Sequence, residues 1–250
     1  MHRNYVKMGE HVFAVHAGSA VLMVMVTKAF NCMKSEPHQP ISMELFIHGG
    51  YGTPAVRKMQ SGTSQPVATV IHQDDYTITI DADFRTAHLY AYNAHALTEA
   101  FYSLYSLCLI HNGWGVLLHA REQRISAGQA ELIAGLSLES LPPDNRYTRS
   151  AADIVPVKIT PRGCSFFSMS TQAQRPCSMP LNQLFISGTS FGNRKERLDE
   201  TTALLHLIHQ IYCLPNRTNE MKRAIDLLKQ LVSSVPVYQV PIHSDEEWIS

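Results

Sequence analysis

Charge is scarce in this chain of 250 residues. Only 17% of them are Asp, Glu, Lys or Arg, and 21 basic side chains balance 21 acidic ones. With no surplus of either sign there is no broad field to attract a polyanion. A bulk nucleic-acid partner and an anionic membrane surface are therefore both excluded as expectations. Cysteine is sparse and scattered: Cys32, Cys108, Cys164, Cys177 and Cys213 are odd in number, and no two show the CxxC spacing. Zinc sites and disulfide frameworks favour repeated short spacings, so these read as separate thiols and no metal is expected. Long apolar runs are missing too. Ala20 to Val26 (AVLMVMV) is too short to cross a bilayer. Phe101 to His119 is interrupted by His111, Asn112 and Gly113, and reads as a buried helix followed by a strand. No stretch at the N-terminus has the layout of a signal peptide, so the expected location is cytoplasmic. Neither a repeat nor a low-complexity tract occurs.

What the chain does have is apolar material. At 45% hydrophobic, 250 residues can bury a sizeable core, as one large domain or a small one joined to a larger. Short apolar runs fill the first sixty residues, among them Val12 to Val15 and Met43 to Ile47. Ala68 to Ile71 and Tyr76 to Ile80 flank a turn at Gln73-Asp74-Asp75, the pattern of a hairpin, and Asp83 to Tyr92 adds a further strand signal. From Asn93 the period changes. Ala94, Leu97, Ala100, Phe101, Leu104 and Leu107 recur at spacings of mostly three and four, which predicts one apolar helix face. Strands are expected at Gly115 to Ala120, Ala130 to Ala134, Asp153 to Ile159, Gly163 to Met169 and Leu184 to Ser187. Helices are expected at Asp199 to Cys213 and at Thr218 to Val232, the latter with Met221, Ile225, Leu228 and Val232 on one face. Val235 to Ile242, with two prolines, reads as an edge strand. The division expected is a smaller N-terminal α+β region, 1–92, and an α/β core with a mixed sheet, 93–250.

Two short motifs imitate other chemistries. Gly188-Thr189-Ser190-Phe191-Gly192 fits the G-x-S-x-G elbow of serine hydrolases, and His48-Gly49-Gly50-Tyr51-Gly52 is like an oxyanion loop. That elbow needs a helix starting at once, but Asn193-Arg194-Lys195-Glu196-Arg197, a charged loop, follows. Hydrolysis by Ser190 is therefore a remote alternative. His206 and His209 lie three apart on an expected helix, as two metal ligands can, yet no third ligand stands at a characteristic distance. They read as polar positions on a packing helix.

The informative stretch runs from Gly115 to Val157. A strand ending in Leu117-Leu118-His119-Ala120 is followed by Gly128-Gln129-Ala130-Glu131-Leu132-Ile133-Ala134, which leads directly into Gly135-Leu136-Ser137. Ala151-Ala152-Asp153-Ile154-Val155 comes later. This order resembles the nucleotide-binding core of HPr kinases and phosphoenolpyruvate-carboxykinase-like proteins, including small members associated with peptide modification, as in the SynChlorMet cassette. His119 stands at the family's histidine. Gly128, Ala130, Leu132 and Gly135 match its G-x-A-x-L-x-x-G strand, and Asp153 matches the second Asp of its acidic pair. The likeness extends over about residues 94–242, through Leu184-Phe185, Asn193, Arg197-Leu198 and Val235-Pro236-Val237-Tyr238.

The departures concern the phosphate loop. A Walker A loop needs glycine amides around the phosphates, a Lys to neutralise them and a hydroxyl to hold Mg²⁺. Aligned on Gly135 and Ser137, this chain has Leu141 at the Lys and Pro142 at the hydroxyl residue. Ser140 stands at the second glycine, and Glu139 adds a charge of the wrong sign. Pro142-Pro143 removes amide donors, and Ala152 stands where the first Asp belongs. The resemblance thus implies a degenerate P-loop core that is not a working kinase. Gly135 and Ser137 are remnants of the loop, His119 and Asp153 a relic acid/base pair, and no cofactor is expected. The function expected is that of a non-catalytic accessory protein binding a peptide or protein partner, with homo-oligomerisation a further partner expectation. The alternative is an active phosphotransferase with an unorthodox loop, in which Arg146, Arg149, Lys158 and Arg162 replace the missing Lys.

Overall fold

The computed structural model describes residues 1–30, 32–33, 35–49, 67–126, 129–135, 154–167, 178–188, 195–215 and 217–241. Within these, mixed sheets and four helices make an α/β protein. The chain divides into two compact units, Met1–Tyr105 and Ser106–Ser250. The division falls inside a helix, later than the expected boundary at 92/93, because the helical face that begins at Ala94 contributes rings to the first core.

The first unit contains β1 (His2–Met8), β2 (His11–Ala17), α1 (Ala20–Ala29), β3 (Met43–Gly49), β4 (Val67–His72), β5 (Tyr76–Asp81) and β6 (Thr86–Ala91). It also takes the first part of α2 (Ala94–His111). Its sheet has the order β1-β2-β3-β6-β5-β4, with β2, β3 and β6 parallel and the other pairs antiparallel. The apolar run AVLMVMV is α1, capped by Ser19, whose Oγ accepts from Leu22 N–H. Asn93 caps α2 in the same way, accepting from Ala96 N–H at 2.9 Å. Strand alternation sends Phe13, Val15, Met43, Leu45, Ile47, Ile78, Ile80 and Leu89 into the core. There Phe13 meets Phe101 and Tyr105 of α2 edge-on, at 5.3 and 5.8 Å between ring centres.

The opposite face of that sheet carries a row of rings in register across β2, β3 and β6. His16 lies on Phe46, Phe46 on His88, and His48 on Tyr90, at 4.8, 5.1 and 4.6 Å. Glu44 pairs with His16 and lies 3.5 Å from Arg3. Diagonally across the row, His48 Nε2 and His88 Nδ1 are joined by a hydrogen bond of 3.1 Å through their ring edges. Burial lowers the pKa of both, and for His48 the neighbouring His88 lowers it further, so both rings are neutral near pH 7.

The second unit contains β7 (Gly115–Ser126), β8 (Gln129–Ala134), β9 (Ile154–Thr160), β10 (Gly163–Phe167), β11 (Ser178–Pro180) and β12 (Leu184–Gly188). β13 (Glu196–Arg197), α3 (Glu200–Ile208), α4 (Thr218–Ser234) and β14 (Val237–Pro241) follow. The sheet order is β11-β10-β9-β7-β8-β12-β14-β13. Its core joins Val116, Leu118, Leu132, Val155, Val157, Phe166, Leu184 and Ile186 to Leu207, Leu228 and Leu231 of α3 and α4. The buried face of α4 is Ala224, Leu227, Leu228, Leu231 and Val232. It shares Leu228 and Val232 with the expected face but leaves Met221 and Ile225 half-buried.

Two expectations are corrected. The C-terminal strand is not the outermost: β12 runs parallel to β14 on one side, and β13 pairs with it on the other. The helix expected to reach Cys213 ends at Ile208, because the next residues bond to β7 instead.

Candidate functional site

In the second unit three adjacent strands, β8, β12 and β14, run parallel. After β8 the chain leaves for β9, on the far side of β7; after β12 it leaves the other way, for β13 and β14. Neighbouring parallel strands whose outgoing connections diverge open a crevice at their carboxyl ends, the usual ligand position in α/β sheets. In this molecule that switch point lies between β8 and β12, at Gly135 and Gly188.

Gly135 follows β8 with a backbone φ of +77°, a left-handed conformation that favours glycine. A β-carbon there would stand 3.3 Å from the carboxamide nitrogen of Gln210 and 3.6 Å from the carbonyl oxygen of Ser187. His119 is beside it, its carbonyl 3.4 Å from the Gly135 N–H. The backbone that follows α3 runs antiparallel to β7 at this point. His119 N–H donates to the Gln210 carbonyl at 2.7 Å, Tyr212 N–H donates to the Leu117 carbonyl at 2.9 Å, and Leu118 bridges Ile211. One side of β7 is therefore shared: residues 120–126 pair with β8, and 117–119 pair with 210–212. The junction is where β8 ends. The His119 and Tyr212 rings lie 4.9 Å apart. On the other side of β7, Ile154 is the register partner of His119.

Of the residues expected from sequence, His119 and Gly135 come together here, and the register brings Ile154, the residue after Asp153, beside them. Asp153, Ser137, Leu141, Pro142, Arg146, Arg149 and Ser190 lie outside the described residues. Of the two other basic candidates, Lys158 faces the Trp114 ring at 5.6 Å, and Arg162 is exposed in the turn between β9 and β10. Sequence reasoning missed Gln210 and Tyr212. Their only signal was the break in apolar period after Ile208.

The chain matches no protein-family model and no curated protein.

One face of this sheet is tied together by side chains of β8, β12 and β14 and the segments beside them. Glu131 accepts from the Gln183 amide, and Gln183 accepts from Lys195 at 2.9 Å. The Lys195 ammonium also sits over Phe185 and Tyr238, at 4.5 and 4.0 Å from their ring centres. Lys195 therefore fixes the chain just before β13 to the sheet face. After β12 the next described helix is α3, which begins at Glu200 and is capped by Asp199 rather than by an elbow serine. His206 and His209 are exposed at the end of α3. Among the described residues no group of three or more His, Cys, Asp or Glu is placed to hold a metal ion. The cleft in the first unit lined by Asp74, Asp75, His95 and Glu99 is acidic. The thiol of Cys108, buried in α2, is pushed up to about 12, which leaves it protonated and unreactive. No described helix is long and apolar enough to cross a membrane.

Proposed function

We propose that the chain is a non-catalytic accessory protein that binds a peptide or protein partner, with an HPr-kinase-like core that has lost phosphoryl transfer. The observation that carries this reading is the position of the switch point. The switch point lies at Gly135, and the sequence that continues from it, Leu136 to Pro143, has no Lys and has Pro142 where the motif's Ser or Thr belongs. The described groups around Gly135 are uncharged hydrogen-bonding ones, the Gln210 carboxamide and the Ser187 carbonyl, beside the His119 and Tyr212 rings. Such groups suit a peptide better than a triphosphate, whose charge calls for fixed cations.

An active phosphotransferase is the second reading. It is favoured by the meeting of His119 and Gly135, with Ile154, the residue after Asp153, in register with His119. Thermal unfolding with millimolar ATP or GTP and Mg²⁺ separates the two. A ligand at 100 times its Kd stabilises the fold by about 2.7 kcal/mol, an easily measured shift. An unchanged midpoint is expected. A raised midpoint that is lost in His119→Ala would establish the second reading instead.

A further inference from the structure

The ring row of the first unit contains a contact that strand register alone does not produce. His48 of β3 is the register partner of Tyr90, and His88 of β6 is the partner of Phe46, so the two histidines stand diagonally. Their planes nevertheless differ by only 19°, and His48 Nε2 faces His88 Nδ1 at 3.1 Å. Tyr90 and Phe46 hold the two imidazoles in place, with ring centres 4.6 and 5.1 Å away. Both histidines are half-buried. An imidazole nitrogen binds Zn²⁺ at about 2.0–2.1 Å, so two nitrogens on one ion lie about 2.9 Å apart at a right angle and about 3.3 Å apart at the tetrahedral angle. The spacing across the pair falls between these limits.

We propose that His48 and His88 form a two-point site for a divalent transition-metal ion, Zn²⁺ or Cu²⁺, which takes the place of the hydrogen they share. Both facing nitrogens are bare when each ring carries its hydrogen on the outer nitrogen, Nδ1 of His48 and Nε2 of His88. Two neutral rings reach that state by moving one hydrogen, with none gained or lost. Imidazole selects the class of ion, since Mg²⁺ and Ca²⁺ prefer shells of oxygen. Glu44, on the same face, is engaged by His16 and Arg3. Gly50 to Pro66, which continues from β3, contains no His, Cys, Asp or Glu. The remaining coordination positions belong to water, an open shell rather than a closed structural one.

Calorimetric titration of the full chain with ZnCl₂, CuCl₂ and MgCl₂ tests this. One Zn²⁺ or Cu²⁺ is expected at the pair, with Cu²⁺ the tighter and Mg²⁺ giving no uptake. His48→Gln and His88→Gln should each abolish that site. The double change His206→Ala and His209→Ala, which removes the exposed pair at the end of α3, should leave it intact. Histidine ring-nitrogen resonances of the unaltered protein give a second reading that does not depend on a variant folding: those of His48 and His88 should shift as Zn²⁺ binds. Absence of saturable uptake of either ion overturns the proposal. So does full uptake by a folded His88→Gln, or bound Zn²⁺ that shifts other histidines and leaves these two unmoved.

Discussion

Each unit has three parallel strands side by side, β2, β3 and β6 in the first and β8, β12 and β14 in the second, but the chain leaves them differently. β2 and β3 both send the chain onward to the same side of their sheet, toward β6, β5 and β4, so no switch point falls between them. β8 and β12 send it to opposite sides, the switch point at which α/β sheets usually take their ligands. Strand direction is alike in the two triplets. The route of the connections is what distinguishes a surface from a site.

The comparison can be broken most severely at Gly115. A β-carbon at this position would lie 1.9 Å from the Val157 carbonyl oxygen, a backbone atom that cannot swing aside. Gly115→Ala should therefore separate β7 from β9 and cost about 3 kcal/mol in urea denaturation. The loss should fall on the second unit's transition and leave the first unit's ring contacts intact. At Gly135 the effect is smaller and local. Gly135→Ala forces an L side chain into a left-handed backbone against Gln210, for about 1–2 kcal/mol. Gly135→Asn should lose less, since Asn tolerates that conformation.

The first unit offers a contrasting sensitivity. His48 and His88 have folded pKa values below 6.5, so their contribution to stability is complete above that value and is lost as the pH falls through the lower folded values. Unfolding midpoints followed below pH 6.5 should decline through the first unit, and His88→Phe should flatten the decline. A decline unchanged in that variant would remove the pair as its cause. The smallest effect expected is that of Lys195→Ala. It removes an exposed ammonium from Phe185 and Tyr238, for about 0.5–1 kcal/mol. In the same variant, greater protease cleavage near residue 195 would show that Lys195 holds the chain to the sheet.

Local pattern carried much of the fold. The hairpin of β4 and β5, the helix from Ala94 and the strand from Gly115 each declare themselves within a window of a dozen residues, because alternation and the three-and-four spacing are local properties. Strand order is not local. Nothing in Tyr76 to Ile80 tells that β4 covers it, and nothing in Val235 to Ile242 tells that β13 lies outside it. The apolar run at Ala20 carries no period to read, since Val21 and Val24 are exposed while Val26 is buried in the same helix. The site divides along the same line. His119 and Gly135 are sixteen residues apart on paired strands and were legible together; Gln210 and Tyr212 reach them only because the chain turns back after α3.

The hydrogen bond between His48 and His88 has a consequence for the nitrogens facing away from it. Two neutral rings share a single N–H along that contact, so their tautomers are locked to one another. If His48 Nε2 holds the hydrogen, His48 Nδ1 is a bare acceptor and His88 Nε2 a donor. If His88 Nδ1 holds it, the two outer atoms exchange these characters. Whatever group touches one end of the pair thus sets the polarity offered at the other, on the neighbouring strand, with no movement of the backbone.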